Sequence, residues 1–289
     1  MARRLDHIVL CAPDLEAMRQ AYGRLGFTLT PRAVHPFGTR NHLAQLQDNF
    51  IELLSIDDPA QIPPDAPGRF NFGGRARDYI AGRRQGLMMT VLASRDADAD
   101  IAEFRAKALD TYERLDFGRD ARLPDGQTVR VGFSLAFVTR PDMPEATFFC
   151  CQQRHPPELF WKPDYQRHAN TARRLVEVVM VAPDPQPVAA HVGRVLDAPP
   201  AAIDGGFAIG TAGDRVTVLA PAALAARYPE LGAVDAATPR FVAYAVTVDD
   251  LAAARRVLDD GSIPYRAAAG GVVLPPAQAF GVAIELRAA

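Results

Sequence analysis

Cysteine, tryptophan and charge of a single sign are all scarce in this chain. Three of its 289 residues are cysteine and one is tryptophan. Three cysteines without framework spacing exclude a disulfide scaffold and point to a reducing compartment, the cytoplasm. Cys150 and Cys151 are adjacent in an apolar run, so on a strand they face opposite ways, and buried small hydrophobes are the expectation for all three. Lys and Arg number 32 against 34 Asp and Glu, a net charge of −2, which gives no reason to expect nucleic acid or a membrane surface as partner. No apolar run is long enough to span a bilayer. The two arginines near the start precede a short apolar segment ending at Pro13-Asp14, which reads as a strand and not a signal peptide. A dinucleotide-type glycine motif, a P-loop, a metalloprotease H-E-x-x-H and a G-x-S-x-G elbow are all missing, so nucleotide-fold and hydrolase readings lack support.

What is present is an ordinary globular composition, 48% hydrophobic and 23% charged, consistent with one or two domains. Leu5–Cys11 alternates into a strand. Asp14 is placed as a helix N-cap, Leu15, Met18, Tyr22 and Leu25 follow at helical spacing, and Gly26 stands where such a helix stops. Strands are expected at 27–30, 42–46 and 50–54, with a loop from His35 to Asn41. After a polar, proline-rich stretch, a short helix is expected over 75–84, and then the order restarts. Strands are expected at 87–93, 127–131, 134–138 and 147–153 and a helix at 99–108, while 112–126 reads as irregular.

The first strand has echoes. His7, Met89, Glu177 and Ala243 each stand seven residues ahead of an aspartate at a helix start: Asp14, Asp96, Asp184 and Asp250. At the far end of the unit, Phe50-Ile51-Glu52-Leu53 resembles Ala283-Ile284-Glu285-Leu286. A period this long, with strands in it, describes duplicated modules and not a solenoid. The expected organisation is an N-terminal domain over 1–153, a linker over 154–173 and a C-terminal domain over 174–289.

Leu5-Asp6-His7-Ile8-Val9, Asp14-Leu15, Leu25-Gly26-Phe27, His35-Pro36-x-Gly38-Thr39-x-Asn41 and Phe50-Ile51-Glu52-Leu53-Leu54, in this order, resemble the vicinal oxygen chelate superfamily and its glyoxalase-like domain proteins. The resemblance implies an α+β fold of four βαβββ modules, paired into two cup-shaped curved mixed sheets. It also implies a divalent metal (zinc, iron, nickel or manganese) held in a cup by side chains of the first and last strands. His7 and Glu52 match such ligand positions and would be the catalytic pair, with His155 as a third ligand. In unit two Met89 and either Cys150 or Gln152 would occupy the matching places. In the C-terminal half Glu177 and Glu285 match, Ala243 cannot ligate, and unit three offers only Thr217 or Val218, so neither half carries a full ligand set.

Each candidate has a plainer reading. His7 alternates with apolar neighbours and can be a core histidine hydrogen-bonded to Glu52, a pair that would also serve as an acid–base couple. His35, Thr39, Arg40 and Asn41 read either as a substrate-binding wall or as turn geometry and surface charge. His42 and His191 are expected at the surface. Phe160, Trp161 and Tyr165 are expected to pack the two halves together. Glu177 and Glu285, if close and without a metal, would repel, and one would keep a proton. Two functions compete. One is a metal-assisted lyase, isomerase or dioxygenase acting on a small oxygen-rich metabolite in the N-terminal cup. The other is a metal-free protein that sequesters a small molecule. A small-molecule substrate is the expected partner in both, and a homodimer is left open.

Overall fold

The computed structural model describes residues 2–82 and 84–289. Unit one runs β1 (Leu5–Cys11), α1 (Leu15–Arg24), β2 (Ala33–Val34), β3 (Thr39–Gln45) and β4 (Phe50–Ile56), followed by α2 (Phe72–Ala81). Unit two runs β5 (Gly86–Ser94), α3 (Ala97–Ala106), β6 (Asp110–Thr111), β7 (Leu115–Arg122), β8 (Thr128–Thr139) and β9 (Thr147–Gln153), followed by the single turn α4 (Pro157–Phe160). Unit three comprises β10 (Ala172–Val181), α5 (Pro185–Leu196), β11 (Pro200–Ile203), β12 (Gly206–Thr211), β13 (Asp214–Leu219) and then α6 (Pro221–Arg227). Unit four comprises β14 (Arg240–Val248), α7 (Leu251–Asp260), β15 (Arg266–Ala268), β16 (Gly271–Leu274) and β17 (Ala283–Ala288).

Each unit's helix is started by the aspartate that the sequence pattern marks. Asp14, Asp96, Asp184 and Asp250 each accept a hydrogen bond from a backbone N–H of the first turn, a cap of about 1 kcal/mol apiece. Gly26 has φ +90°, open to glycine at little cost, and ends α1 as expected. The extended segment expected at 27–30 forms no ladder, because its backbone groups are taken elsewhere. The N–H of Thr28 donates to His168 Nδ1, and the Thr30 carbonyl oxygen faces His42 Nδ1 at 2.7 Å. The two strands expected at 127–131 and 134–138 are one, and the region expected to be irregular holds β7, paired with β8 along its whole length.

The strands form two mixed sheets. The first has the order β2-β3-β4-β1-β5-β9-β8-β6, with β7 on β8. The second has the order β11-β12-β13-β10-β14-β17-β16-β15. This is the α+β architecture of paired βαβββ units in curled sheets. One face of each sheet joins the four unit helices in a shared core that contains Leu10, Met18, Phe104, Met180, Val192 and Leu258. Tyr244 donates its hydroxyl to that of Tyr22 at 3.1 Å inside it. The opposite, concave faces carry separate apolar clusters, one per sheet. Among the described residues no helix is long and apolar enough to cross a membrane.

The units are related by a local device. In β1 and β5 the antiparallel register skips one residue on each strand, between Leu5 and His7 and between Leu87 and Met89. β10 and β14 repeat this, skipping between Leu175 and Glu177 and between Phe241 and Ala243. A bulge of this kind adds one residue and re-aims its neighbours. His7, Met89, Glu177 and Ala243 are therefore equivalent in space, each following a bulge. Two residues further on, the parallel neighbours are Glu52, Phe149, Thr217 and Glu285. The unit-two counterpart of Glu52 is thus Phe149, and neither Cys150 nor Gln152.

Candidate functional site

The concave face of the N-terminal sheet is where polar groups meet an apolar wall. Strand alternation sends Val9 and Cys11 to this face along with His7, while Ile8 and Leu10 enter the helix-side core. His7 is 4% exposed. Asp6, the bulge residue, lies beside it with Oδ1 3.0 Å from His7 Nδ1. The other ring nitrogen, Nε2, stands 3.7 Å from Glu52 Oε2. The ring is also stacked on Phe50, centroids 4.1 Å apart and planes 13° from parallel, with the edge of Phe149 at 5.7 Å. Imidazole tautomer and position are both fixed by such contacts.

Glu52 is buried and satisfied by β3. Asn41 Nδ2 donates to Glu52 Oε1 at 2.6 Å and faces His35 Nε2 at 3.3 Å. Thr39 Oγ1 lies 2.8 Å from His35 Nδ1, so Thr39 sets the ring's orientation. Burial holds the His35 ring well below its ordinary pKa, with the positive charge of Arg119 and then His7 adding to the effect. It is a neutral hydrogen-bonding group at pH 7. Asn41 Oδ1 is buried and has no partner.

These groups line one cavity with Phe37, Phe50, Phe72, Phe117, Phe133, Phe149 and Phe160, and with Arg119 and Cys151. Its free volume is only about 40 Å³, room for a few waters. The aromatic rings fill most of the cup.

His7, Glu52, His35, Thr39 and Asn41 are therefore brought together, with Thr39 acting through His35. Arg40 points off the other face of β3 and its Nη1 lies 3.7 Å from Asp57 Oδ1. His155 stands one layer behind the wall, against Phe133 and Phe160, with Nδ1 3.0 Å from the Gly132 carbonyl oxygen. Cys151 is in the wall, but burial pushes its thiol well above the usual range, helped by the charges of Asp6 and Glu52. That excludes it as a ready nucleophile. Cys150 lies on the helix side, as adjacent strand residues must.

Three expectations are corrected here. His42 is buried, its Nδ1 on the Thr30 carbonyl oxygen. His191 is buried on α5. Phe160 and Trp161 do not join the two halves: they pack edge-on against each other, and edge-on or tilted against Phe50, over the N-terminal cup. The segment after β9 is a strap tied across this cup by Gln45, whose side chain bonds the backbone of Phe160 and of Lys162.

Arg119 and Phe117 were missed because β7, with its glycine and charges, reads as a loop. The signal was there: Leu115, Phe117, Arg119 and Ala121 alternate with Asp116, Gly118, Asp120 and Arg122.

The model of the glyoxalase-like domain family matches residues 5–196, the whole N-terminal sheet and the start of unit three. The chain belongs to this family. Among solved structures, this glyoxalase-like protein is similar to a hypothetical protein from Staphylococcus aureus, with a TM-score of 0.68 and 12% identity over 99% of both chains. It is also similar to a mutant of 4-hydroxymandelate synthase from Streptomyces coelicolor, with a TM-score of 0.61 and 13% identity over 99% of this chain and 93% of that one. A xylose isomerase-like TIM barrel/4-hydroxyphenylpyruvate dioxygenase fusion protein matches with a TM-score of 0.55 and 14% identity, over all of this chain and 49% of that one. At these identities the likeness is one of fold. No curated protein matches the sequence.

The metal implied by the fold can be tested against the donors present. Of the four equivalent positions in the N-terminal cup, two carry His7 and Glu52 and two carry Met89 and Phe149, which are not donors for a hard divalent cation. Asp6 and Asn41 already engage His7 and Glu52. Among the described residues no group of three or more His, Cys, Asp and Glu is placed to hold a metal ion. The residues do not fit a resident metal.

The C-terminal cup fits it no better, for the opposite reason. Arg227 grips Glu177 through two hydrogen bonds of 3.1 and 2.8 Å, Arg215 donates at 3.1 Å and Thr217 at 2.5 Å, and Arg287 joins them. Glu285 accepts from Arg287 and, at 3.0 Å, from the Tyr228 hydroxyl. Burial works against ionisation of both carboxyls, but the arginines outweigh it and hold both below the usual range. The expected repulsion, with one carboxyl keeping a proton, does not arise.

Proposed function

We propose that the N-terminal cup is the working site, and that it handles a small organic molecule by proton transfer through His7 and Glu52, without a resident metal. The observation that supports this most is the 3.7 Å approach of His7 Nε2 to Glu52 Oε2 at the wall of a narrow aromatic cavity, with Met89 and Phe149 in the two other ligand places. An imidazole and a carboxyl that share a low-dielectric wall can take a proton from one atom of a bound molecule and return it to another. Asp6 fixes the His7 ring, and Asn41 and His35 orient the carboxyl of Glu52. The reaction class is isomerisation or lyase-type elimination beside an oxygen-bearing carbon.

The test is deuterium exchange. A panel of small hydroxy and keto acids is incubated in D2O with protein treated with EDTA, and carbon-bound protons are followed by NMR. Exchange by wild type that is lost in Glu52→Gln is expected. Exchange that EDTA abolishes would restore the metal-assisted reading, that of a lyase, isomerase or dioxygenase. Ligand binding without any exchange would favour the sequestering protein.

A further inference from the structure

Arg119 is a charged residue in the cavity wall for which the couple gives no role. It sits on β7, on the cup side of the alternation, and is 6% exposed. Its guanidinium lies 5.9 Å over the Phe133 ring, and among the described residues its one side-chain hydrogen bond runs from Nη1 to the Asp120 carbonyl oxygen at 3.3 Å. Among the described residues no carboxylate lies within ion-pairing distance of it. The other well-covered arginines differ: Arg3 is paired with Asp100 and Glu103, Arg174 with Asp48 and Asp214, and Arg240 with Glu145 and Asp235. A buried charge without a partner is costly and is retained where a partner arrives.

Its surroundings say from where. Arg119 lines the inner cavity and also two depressions on the surface. One of these, about 540 Å³, is bordered by Arg32, Arg122 and Arg130 and reaches His35. The other is bordered by Arg122 and Lys162. The carboxylate on this rim, Asp120, is occupied by Arg130 at 3.2 Å. A basic rim around a low-dielectric opening concentrates anions there. Inside, seven phenylalanines offer ring faces and edges, and Asn41 Oδ1 is a buried acceptor with nothing to accept.

We propose that Arg119 anchors the carboxylate of a small aromatic acid whose ring enters the phenylalanine cup. This rests on the reading of the cup as the working site. The planar guanidinium offers a carboxylate two parallel hydrogen bonds, and the ligand ring stacks among the phenylalanines. A hydrogen-bond donor at the far end of the ligand meets Asn41 Oδ1 and lies beside His7 and Glu52. A ring needs more than the present 40 Å³, so Phe117 on the β7–β8 hairpin and Phe160 on the strap give way as it enters.

The test is calorimetric titration of the full chain with benzoate and, separately, with uncharged benzyl alcohol. Wild type is expected to bind benzoate at least about tenfold more tightly than benzyl alcohol. Arg119→Met is expected to lose that preference while still binding benzyl alcohol, which also shows that the variant is folded. Arg119→Lys is expected to recover part of it. Equal binding of the two probes by wild type, or a preference unchanged in Arg119→Met, overturns the anchor and leaves the cup as a site. Failure of both probes to bind wild type overturns the anchor and the cup reading together.

Discussion

Glu177 and Arg227 are joined by two hydrogen bonds, Oε1 to Nη1 at 3.1 Å and Oε2 to Nη2 at 2.8 Å, at a position equivalent to that of His7 in the other half. The two cups have thus diverged from one frame. In one the glutamates at the ligand positions are engaged by an arginine network. In the other these positions hold a histidine and a glutamate facing a cavity.

Removing one partner from a buried ionic network leaves the rest uncompensated. Glu177→Ala strands Arg215 and leaves Arg227 and Arg287 to share Glu285, and is expected to destabilise the protein by roughly 3–5 kcal/mol. Urea denaturation measures this. Ligand binding in the N-terminal cup, measured under native conditions, is expected to be unchanged.

His191 gives a pH dependence of known sign. Burial, then Arg140 and Arg194, push its pKa from 6.5 down to about 4, with Asp142 opposing them. The unfolded chain therefore takes up a proton below pH 6.5 that the folded chain refuses until about pH 4. Its contribution is fully present above pH 6.5 and is lost as pH falls toward 4, amounting to roughly 2–3 kcal/mol across that window. Thermal melts of wild type and His191→Gln between these limits are expected to converge at the acid end.

Asn41 bridges the buried His35 and Glu52, so Asn41→Leu leaves an imidazole nitrogen and a carboxyl oxygen without a donor. A loss of about 1–3 kcal/mol is expected, read by urea denaturation, together with a loss of function larger than that of Arg40→Ala. Equal effects from the two variants would place the site elsewhere.

In the N-terminal cup the two places without a donor for a hard metal, Met89 and Phe149, both belong to unit two. Met89→His adds an imidazole at the position equivalent to His7, across from Val9 of β1. Zinc titration of this variant is expected to show a site that wild type lacks. No gain of zinc binding would contradict the equivalence of these positions.

The order of elements was legible because it rests on strong local signals. Four aspartate caps and the short apolar runs of Leu5–Cys11 and Thr147–Gln153 are written in the residues themselves. The column of His7, Met89, Glu177 and Ala243 was legible for the same reason, since a bulge at a fixed distance from a cap leaves a fixed spacing. What a side chain meets across the fold was not. Glu52 has Phe149 as counterpart because of parallel register, which no spacing shows. His191 is covered by packing and not by its own helix pattern. Arg119 belongs to a strand whose pairing with β8 overrides a loop-like composition, so its place in the cup was overlooked.

The central claim is that the N-terminal cup works without a resident metal. Elemental analysis of the full chain purified without added metal tests it most directly, with His7→Ala protein alongside. The account predicts far less than one divalent metal per chain in both. One equivalent of zinc, iron, nickel or manganese in wild type that disappears in His7→Ala would contradict it.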